Sequence, residues 1–255
     1  GALFACGLAA EGMKPYIAIY STFMQRCIDM IQHDAALQKL PVRFCMDRAG
    51  LSPDDGPTHH GLFDIAMIRS IPNIVFMQPK DEAEFVHMLR TMNHYQNGPT
   101  VIRYPRGCGA GTPVPAKAEI LPIGKAEVLQ TGRDVTLVSL GTMIGIARET
   151  ASLLEARGYT VTLINARFIK PLDDECIRRH AARSRVVCTF EDHSISGGFN
   201  SAVLESLETG DVQTPVEAIA WPDQFIEHGS ESILRKKYGL TAEAALQKII
   251  THLNS

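Results

Sequence analysis

The 255 residues carry 25 Lys and Arg against 28 Asp and Glu, for a net charge of −3, with 45% hydrophobic and 21% charged residues. That balance, with no basic run and no acidic tail, is that of an ordinary globular protein and argues against nucleic acid as a partner. The length fits two domains of ordinary size, each able to bury a core.

No apolar stretch approaches the ~18–20 residues that a membrane span requires, so no membrane partner is expected. The apolar opening Ala2-Leu3-Phe4-Ala5-Cys6 lacks the basic head of a signal peptide, and no initiator Met precedes it. The chain reads as a fragment or processed piece. Its cysteines (Cys6, Cys27, Cys45, Cys108, Cys176, Cys188) form no C-x-x-C pair, and most lie among apolar residues. They read as reduced structural thiols in a cytoplasmic protein.

In chain order, residues 2–11 form an apolar helical segment that Gly12 breaks. Pro15 to Tyr20 reads as a strand of the kind buried on both faces in parallel sheets. Ser21 or Thr22 is then expected to cap a helix whose apolar residues Met24, Cys27, Ile28, Ile31 and Ala35 share one face. Phe23 and Arg26 fall off that stripe, in the first turn, free to face a ligand. Val42 to Met46 is the next strand, and residues 48–62 are a long loop rich in Gly, Pro, Ser and Asp. Loops of that length are usually functional or disordered. A short helix at 63–70 precedes a strand from Asn73 to Met77. Asp81 opens a helix to about Tyr95, and Thr100 to Tyr104 is a strand with Arg106 just beyond its end.

Residues 107–122, with Gly107, Gly109, Gly111, Pro113, Pro115 and Pro122, read as a linker. Beyond it the alternation restarts. Strands are predicted at 135–140, 159–164, 185–191 and 215–221, and helices at 143–157, 173–182, about 199–207, 230–237 and 241–253. Asp192 to Gly198 reads as a turn. Alternating strands and helices imply an α/β fold of two domains, each a mostly parallel sheet with helices on both faces.

In such sheets ligands bind outside the carboxyl ends of the strands. Phe23 is a candidate platform for a flat heteroaromatic ring, or else a core aromatic. Arg26 suits an anion beside that ring, or a solvated helix face. Arg48 and Arg106 suit phosphate or carboxylate, since guanidinium forks match such oxygens bidentately; a plain salt bridge is the alternative. Asp55 and His59 share one loop, where a carboxylate can bind a substrate hydroxyl and an imidazole can shuttle a proton, or where Asp55 simply makes a turn. The pair His59-His60 lacks further ligands at metal spacing, so no metal is assigned. Glu191, Asp192, His193 and His228 form a second polar cluster, in the other domain, with no spacing that dictates chemistry.

Together, Y-S-T-F-x-Q-R (20–26), D-R-A-G (47–50), D-G-x-T-H-x-G (55–61), R-Y-P-R-G (103–107), L-P-I-G-K (121–125), R-F-I-K-P-L-D (167–173), the E-D-H-S-x-S-G-G turn and P-D-Q-F-I-E-H-G (222–229) resemble the 1-deoxy-D-xylulose 5-phosphate synthase family. These are transketolase-like thiamine-diphosphate enzymes. The resemblance spans essentially the whole chain and implies a pyrimidine-binding domain over 1–120, lacking its first segment, and a transketolase C-terminal domain over 121–255. It implies decarboxylative condensation of pyruvate with glyceraldehyde 3-phosphate, serving isoprenoid-precursor, thiamine and pyridoxal synthesis. It also implies a homodimer, and a cofactor pair of thiamine diphosphate and Mg2+.

By the same resemblance Phe23 stacks on the aminopyrimidine and Arg26 lines the cofactor side. Tyr20, Arg48 and Arg106 hold the acceptor phosphate, Asp55 binds an acceptor hydroxyl, and His59 assists binding or proton transfer, with Tyr20 beside it as a second catalytic candidate. Two family features lie outside the sequence: the glutamate of an E-x-H motif, and the N-terminal domain whose G-D-G…N signature holds magnesium and diphosphate. Asp54-Asp55-Gly56 and Gly210-Asp211 do not replace that signature. The isolated chain is therefore expected to be inactive. The other readings are a β-type subunit of a 2-oxoacid dehydrogenase, a split transketolase, or a catalytically silent assembly or small-molecule-binding module.

Overall fold

The computed structural model describes residues 1–254 and contains two five-stranded sheets flanked by helices. Helix α1 (Ala2–Ala10) leads into β1 (Tyr16–Tyr20) and a helical run α2 over residues 21–36. Strands β2 (Arg43–Asp47), β3 (Val75–Met77) and β4 (Thr100–Arg103) follow, with α3 (Asp64–Arg69) and α4 (Glu82–His94) between them. All three strands are buried almost throughout, as parallel strands covered on both faces must be. The second half runs β5 (Glu127–Gln130), β6 (Val135–Ser139), α5 (Ile144–Glu155), β7 (Val161–Asn165), β8 (Phe168–Lys170), α6 (Asp174–Ala181), β9 (Val186–Ser194), α7 (Phe199–Thr209), β10 (Val216–Trp221), α8 (Glu231–Tyr238) and α9 (Ala242–Leu253).

The sheets have the orders β1-β2-β4-β3-β8 and β10-β9-β6-β7-β5. Only β8 and β5 are antiparallel to their neighbours. The expected α/β architecture is therefore present, and polar caps fix several helix starts. Asp81 accepts the Glu84 N–H at 2.8 Å, and Thr241 accepts that of Ala244 at 3.2 Å.

Four details depart from the sequence reading. Strand β1, expected to be buried on both faces, has no buried residue, because it lies at the sheet edge and pairs with β2 alone. Neither Ser21 nor Thr22 caps α2: Tyr20 occupies the N-cap with no side-chain bond, and the Thr22 hydroxyl donates instead to the Thr58 carbonyl at 3.0 Å. The strand expected to end at Glu191 continues to Ser194, so Asp192 and His193 lie in buried strand rather than in a turn. Two short strands, β5 and β8, are not anticipated, because polar residues (Glu127, Gln130 and Lys170) interrupt any apolar run that would mark them. Strand β8 also pairs with β3, so the first sheet borrows a strand from beyond residue 121. One apolar cluster accordingly joins Phe44, Ile65 and Phe76 to Val138, Ile177 and Phe199.

Charged groups buried between the halves are paired, while Asn165 Oδ1 and the hydroxyls of Ser139 and Ser194 are buried without a hydrogen-bond partner among the described residues. The fully buried Arg103 grips both oxygens of Asp64 at 2.9 and 3.0 Å and donates to Gln78 at 2.6 Å. Its Nη2 also donates to the carbonyls of Gly61 and Asp192, each at 3.2 Å. Buried Glu84 likewise accepts from Asn165 at 2.9 Å and from Arg167 at 2.7 Å. Removing one partner of a buried ion pair strands the other charge at a cost of about 3–5 kcal/mol, against roughly 0–1 kcal/mol for an exposed pair. Arg103→Ala is thus expected to lower unfolding stability by about 3–5 kcal/mol in a urea titration, with Arg106→Ala nearly neutral as the control. Equal midpoints for the two variants would refute the assignment.

Candidate active site

Parallel strands β1, β2 and β4 lie side by side, so their carboxyl ends open onto one edge of the first sheet. Tyr20 ends β1, Asp47 ends β2, and Arg103 ends β4 three residues before Arg106. The loop after β2 returns across the same edge, held by bridges of Ala49 and Gly50 to Gly61. Those bridges bring Asp55 and His59 back over the strand ends. All seven residues expected at the site, Tyr20, Phe23, Arg26, Arg48, Asp55, His59 and Arg106, are linked there by ring contacts and ion pairs.

The aromatic part is built from Tyr20, Phe23 and His59. The Tyr20 and Phe23 rings stack at 5.4 Å with planes 12° apart, and His59 meets Phe23 edge-on at 5.4 Å. Phe23 is 40% exposed, which removes the core-aromatic alternative and leaves ring surface for a planar ligand. Arg26 lies 6.0 Å from the Phe23 ring centroid. The His59 Nδ1 is 2.9 Å from the Thr58 hydroxyl, while Nε2 has no protein partner among the described residues.

The anion part centres on Arg48. Its backbone is left-handed, at φ 56°, a conformation that costs a non-glycine residue of order 1–3 kcal/mol and clusters at functional sites. Asp47 holds it there, accepting the Arg48 N–H at 2.7 Å and its Nη1 at 2.6 Å. The guanidinium then lies 3.8 Å from the Tyr20 ring centroid. Its Nε is buried without a hydrogen bond and lies 3.9 Å from an Asp55 carboxylate oxygen. Arg106 donates to that same Asp55 oxygen at 2.9 Å and lies 3.6 Å from Asp54. Asp55 thus occupies the place between two guanidinium groups where an anion fits. The Arg106–Asp55 pair is partly exposed, so exchanging it for a phosphate costs little.

Sequence reasoning missed Asp47, Thr22 and Thr58, which aim Arg48 and His59. Asp47 was legible as the residue ending β2 beside Arg48. The Thr22–Thr58 bond was not, since it spans 36 residues. Among the described residues no group of three or more His, Cys, Asp or Glu is placed to hold a metal ion.

Residues 2–110 match the model for the transketolase pyrimidine-binding domain, and residues 124–244 match the model for the transketolase C-terminal domain. A solved structure described as a split gene transketolase, inactive beta4 tetramer, superposes with a TM-score of 0.88 at 30% identity, covering 98% of this chain and 80% of that one. The chain belongs to the transketolase family. Within it, the chain is 53% identical over 99% of its length to a 1-deoxy-D-xylulose-5-phosphate synthase of Methylacidiphilum infernorum, and 52% identical over 98% to one of Acidobacterium capsulatum. It spans only 40% of the length of each.

Behind the site of this transketolase-family chain lies the second polar cluster, and it belongs to the contact between the two sheets. Glu191 accepts the N–H groups of Phe199 and Asn200 at 2.6 and 2.8 Å, anchoring the start of α7. Burial pushes its carboxyl up to about 7, against the opposing pull of those two bonds. His193, which accepts the Ala66 N–H at 3.3 Å, is pushed down to about 4 by burial. Asp192 accepts from the Trp221 indole at 2.6 Å and from Arg235 at 3.3 Å. His228 packs over Gly56, in the loop that carries Asp55.

The two shifts oppose each other in their effect on stability. A carboxyl raised on folding binds more protons folded than unfolded between about 4.5 and about 7, so its contribution falls as pH rises through that window. An imidazole lowered to about 4 binds fewer protons folded than unfolded from there to 6.5, so its contribution rises with pH. Glu191→Gln is therefore expected to make stability climb more steeply from pH 4.5 to 6.5 than in the parent chain, as read by urea midpoints at each pH. An unchanged slope would show that Glu191 does not titrate there.

Proposed function

We propose that this chain is the C-terminal, acceptor-binding part of a 1-deoxy-D-xylulose-5-phosphate synthase, which joins pyruvate to glyceraldehyde 3-phosphate with loss of carbon dioxide. The observation that carries the reading is the convergence of Phe23, Tyr20, Arg48, Asp55, His59 and Arg106 on the carboxyl ends of β1, β2 and β4. In our reading residues 1–120 form the pyrimidine-binding domain and 121–255 the C-terminal one.

Thiamine diphosphate, when bound, supplies the carbanion chemistry, and the protein binds, orients and polarises. The exposed Phe23 ring fits the flat aminopyrimidine, and Arg26 lines that side. Arg48 and Arg106 take the acceptor phosphate in place of Asp55, with the unpartnered Nε of Arg48 as one ready donor. Tyr20 closes the same end, its ring fixing the Arg48 guanidinium. Freed from the arginines, Asp55 accepts a hydrogen bond from an acceptor hydroxyl. His59, oriented by Thr58, carries a proton to or from the acceptor oxygen through Nε2.

Among the described residues no acidic or imidazole cluster fits a magnesium site, so we assign Mg2+ and the diphosphate to the N-terminal part of the longer relatives. The chain alone is then inactive and works only with that part, as a homodimer of the complete enzyme. The split-gene relative whose beta chains form an inactive tetramer is consistent with this reading. In synthesis assays we expect no turnover by the chain alone and recovery on adding the N-terminal part. Turnover by the chain alone would overturn the division of labour.

In the complete enzyme, Arg106→Ala removes a charge-assisted contact worth about 1.5–3 kcal/mol, so KM for glyceraldehyde 3-phosphate is expected to rise roughly 10- to 100-fold. KM for pyruvate should move far less. Equal effects on both substrates would sink the phosphate assignment.

A further inference from the structure

A cavity of about 590 Å³ lies on the other side of the segment that carries Arg106, between the start of α4, the loop after β4 and the first turn of α5. Its size is that of a small-molecule site. Phe85 and Tyr104, whose rings meet edge-on at 5.1 Å, form an aromatic corner, and Pro105 and Ile144 extend the apolar wall.

Gly145 lies in α5, where glycine costs about 0.5–1 kcal/mol relative to alanine. A Cβ added there meets no atom within 4 Å, and the same holds at Gly107 across the cavity. Gly145 thus leaves room, whereas Gly107 answers a positive φ of 144° and Gly109 a close approach to the Glu82 carboxylate.

The charged groups around the cavity are paired except for Arg148 and one oxygen of Glu82, whose buried Oε2 has no hydrogen-bond partner among the described residues. Lys80 is paired with Glu84 at 3.3 Å and Glu127 at 2.9 Å, Asp81 caps α4, and Glu82 accepts the Gly111 N–H at 2.7 Å. Arg148, on the α5 side, makes no ion pair among the described residues, and its guanidinium is free for an anion. The Thr142 hydroxyl on the same side is likewise unpartnered.

We propose that this cavity binds a small organic anion with a flat apolar body: rings against Phe85 and Tyr104, the carboxylate, sulfonate or phosphate on Arg148. The site is separate from the one around Arg48, and the proposal does not depend on the synthase reading. Because Pro105 and Gly107 both line the cavity, its occupant touches the residues on either side of Arg106.

The test uses 1-anilinonaphthalene-8-sulfonate as the probe. Leu3 and Phe4 on α1 are exposed and also attract such a dye, so total fluorescence is not the readout. Cys108 lines the cavity and is exposed, and its alkylation by iodoacetamide, followed by mass spectrometry, reports on this site alone. We expect bound probe to slow Cys108 alkylation several-fold in the parent chain. Gly145→Phe, which fills the cavity, and Arg148→Glu, which reverses its free charge, should each abolish that protection. If Gly145→Phe alters the circular-dichroism melt, Arg148→Glu decides. Unchanged Cys108 alkylation at saturating probe, or protection that survives Arg148→Glu, would overturn the proposal.

Discussion

One guanidinium group, that of Arg103, holds together the parts on which the site depends. It leaves the end of β4 and reaches Asp64 on α3, Gln78 after β3, the Gly61 carbonyl at the close of the long loop, and the Asp192 carbonyl in β9. Burying a charge costs several kcal/mol unless every donor finds an acceptor, so a fully engaged buried arginine admits few alternative arrangements. The loop that carries Asp55 and His59 is consequently closed at a fixed point, and both sheets are registered to it.

The site has the opposite electrostatic character. Its arginines and aspartates are partly exposed and share partners: Asp55 serves Arg48 and Arg106 together, and Asp54 lies near Arg106. Pairs of that kind are worth little and exchange readily with a ligand's oxygens. Rigid placement thus comes from the buried frame and exchangeable binding from the rim. The left-handed Arg48 joins the two, its strain opposed by two bonds to Asp47 and by the face of Tyr20.

The halves of the chain are likewise not simply adjacent. Strand β8 completes the first sheet, and Glu84 on α4 is satisfied by Asn165 and Arg167 from the second half. Glu191, Asp192 and His193 look like a second site in sequence, but their partners include the start of α7, Ser194, Trp221, Arg235, Ala66 and the Leu51 N–H. They are the polar side of a packing contact.

What the sequence determined by itself was local or periodic. Near-continuous apolar runs marked the central strands, and Asp81 marked the start of α4. The placement of Tyr20 at a strand end and of Arg48 and Arg106 just past strand ends pointed to one edge of a parallel sheet, and Phe23 and Arg26 stood out by leaving the apolar stripe of α2. Tertiary structure alone decided the rest. Strands β5 and β8 carry no unbroken apolar run and form where a sheet edge is there to pair with. Ser21 and Thr22 are suitable caps, yet Thr22 spends its hydroxyl on Thr58. Arg103 and Asp64, 39 residues apart, form a buried pair that no spacing reveals. A hydrogen bond or an ion pair has no signature in sequence until the fold brings its two ends within about 3 Å.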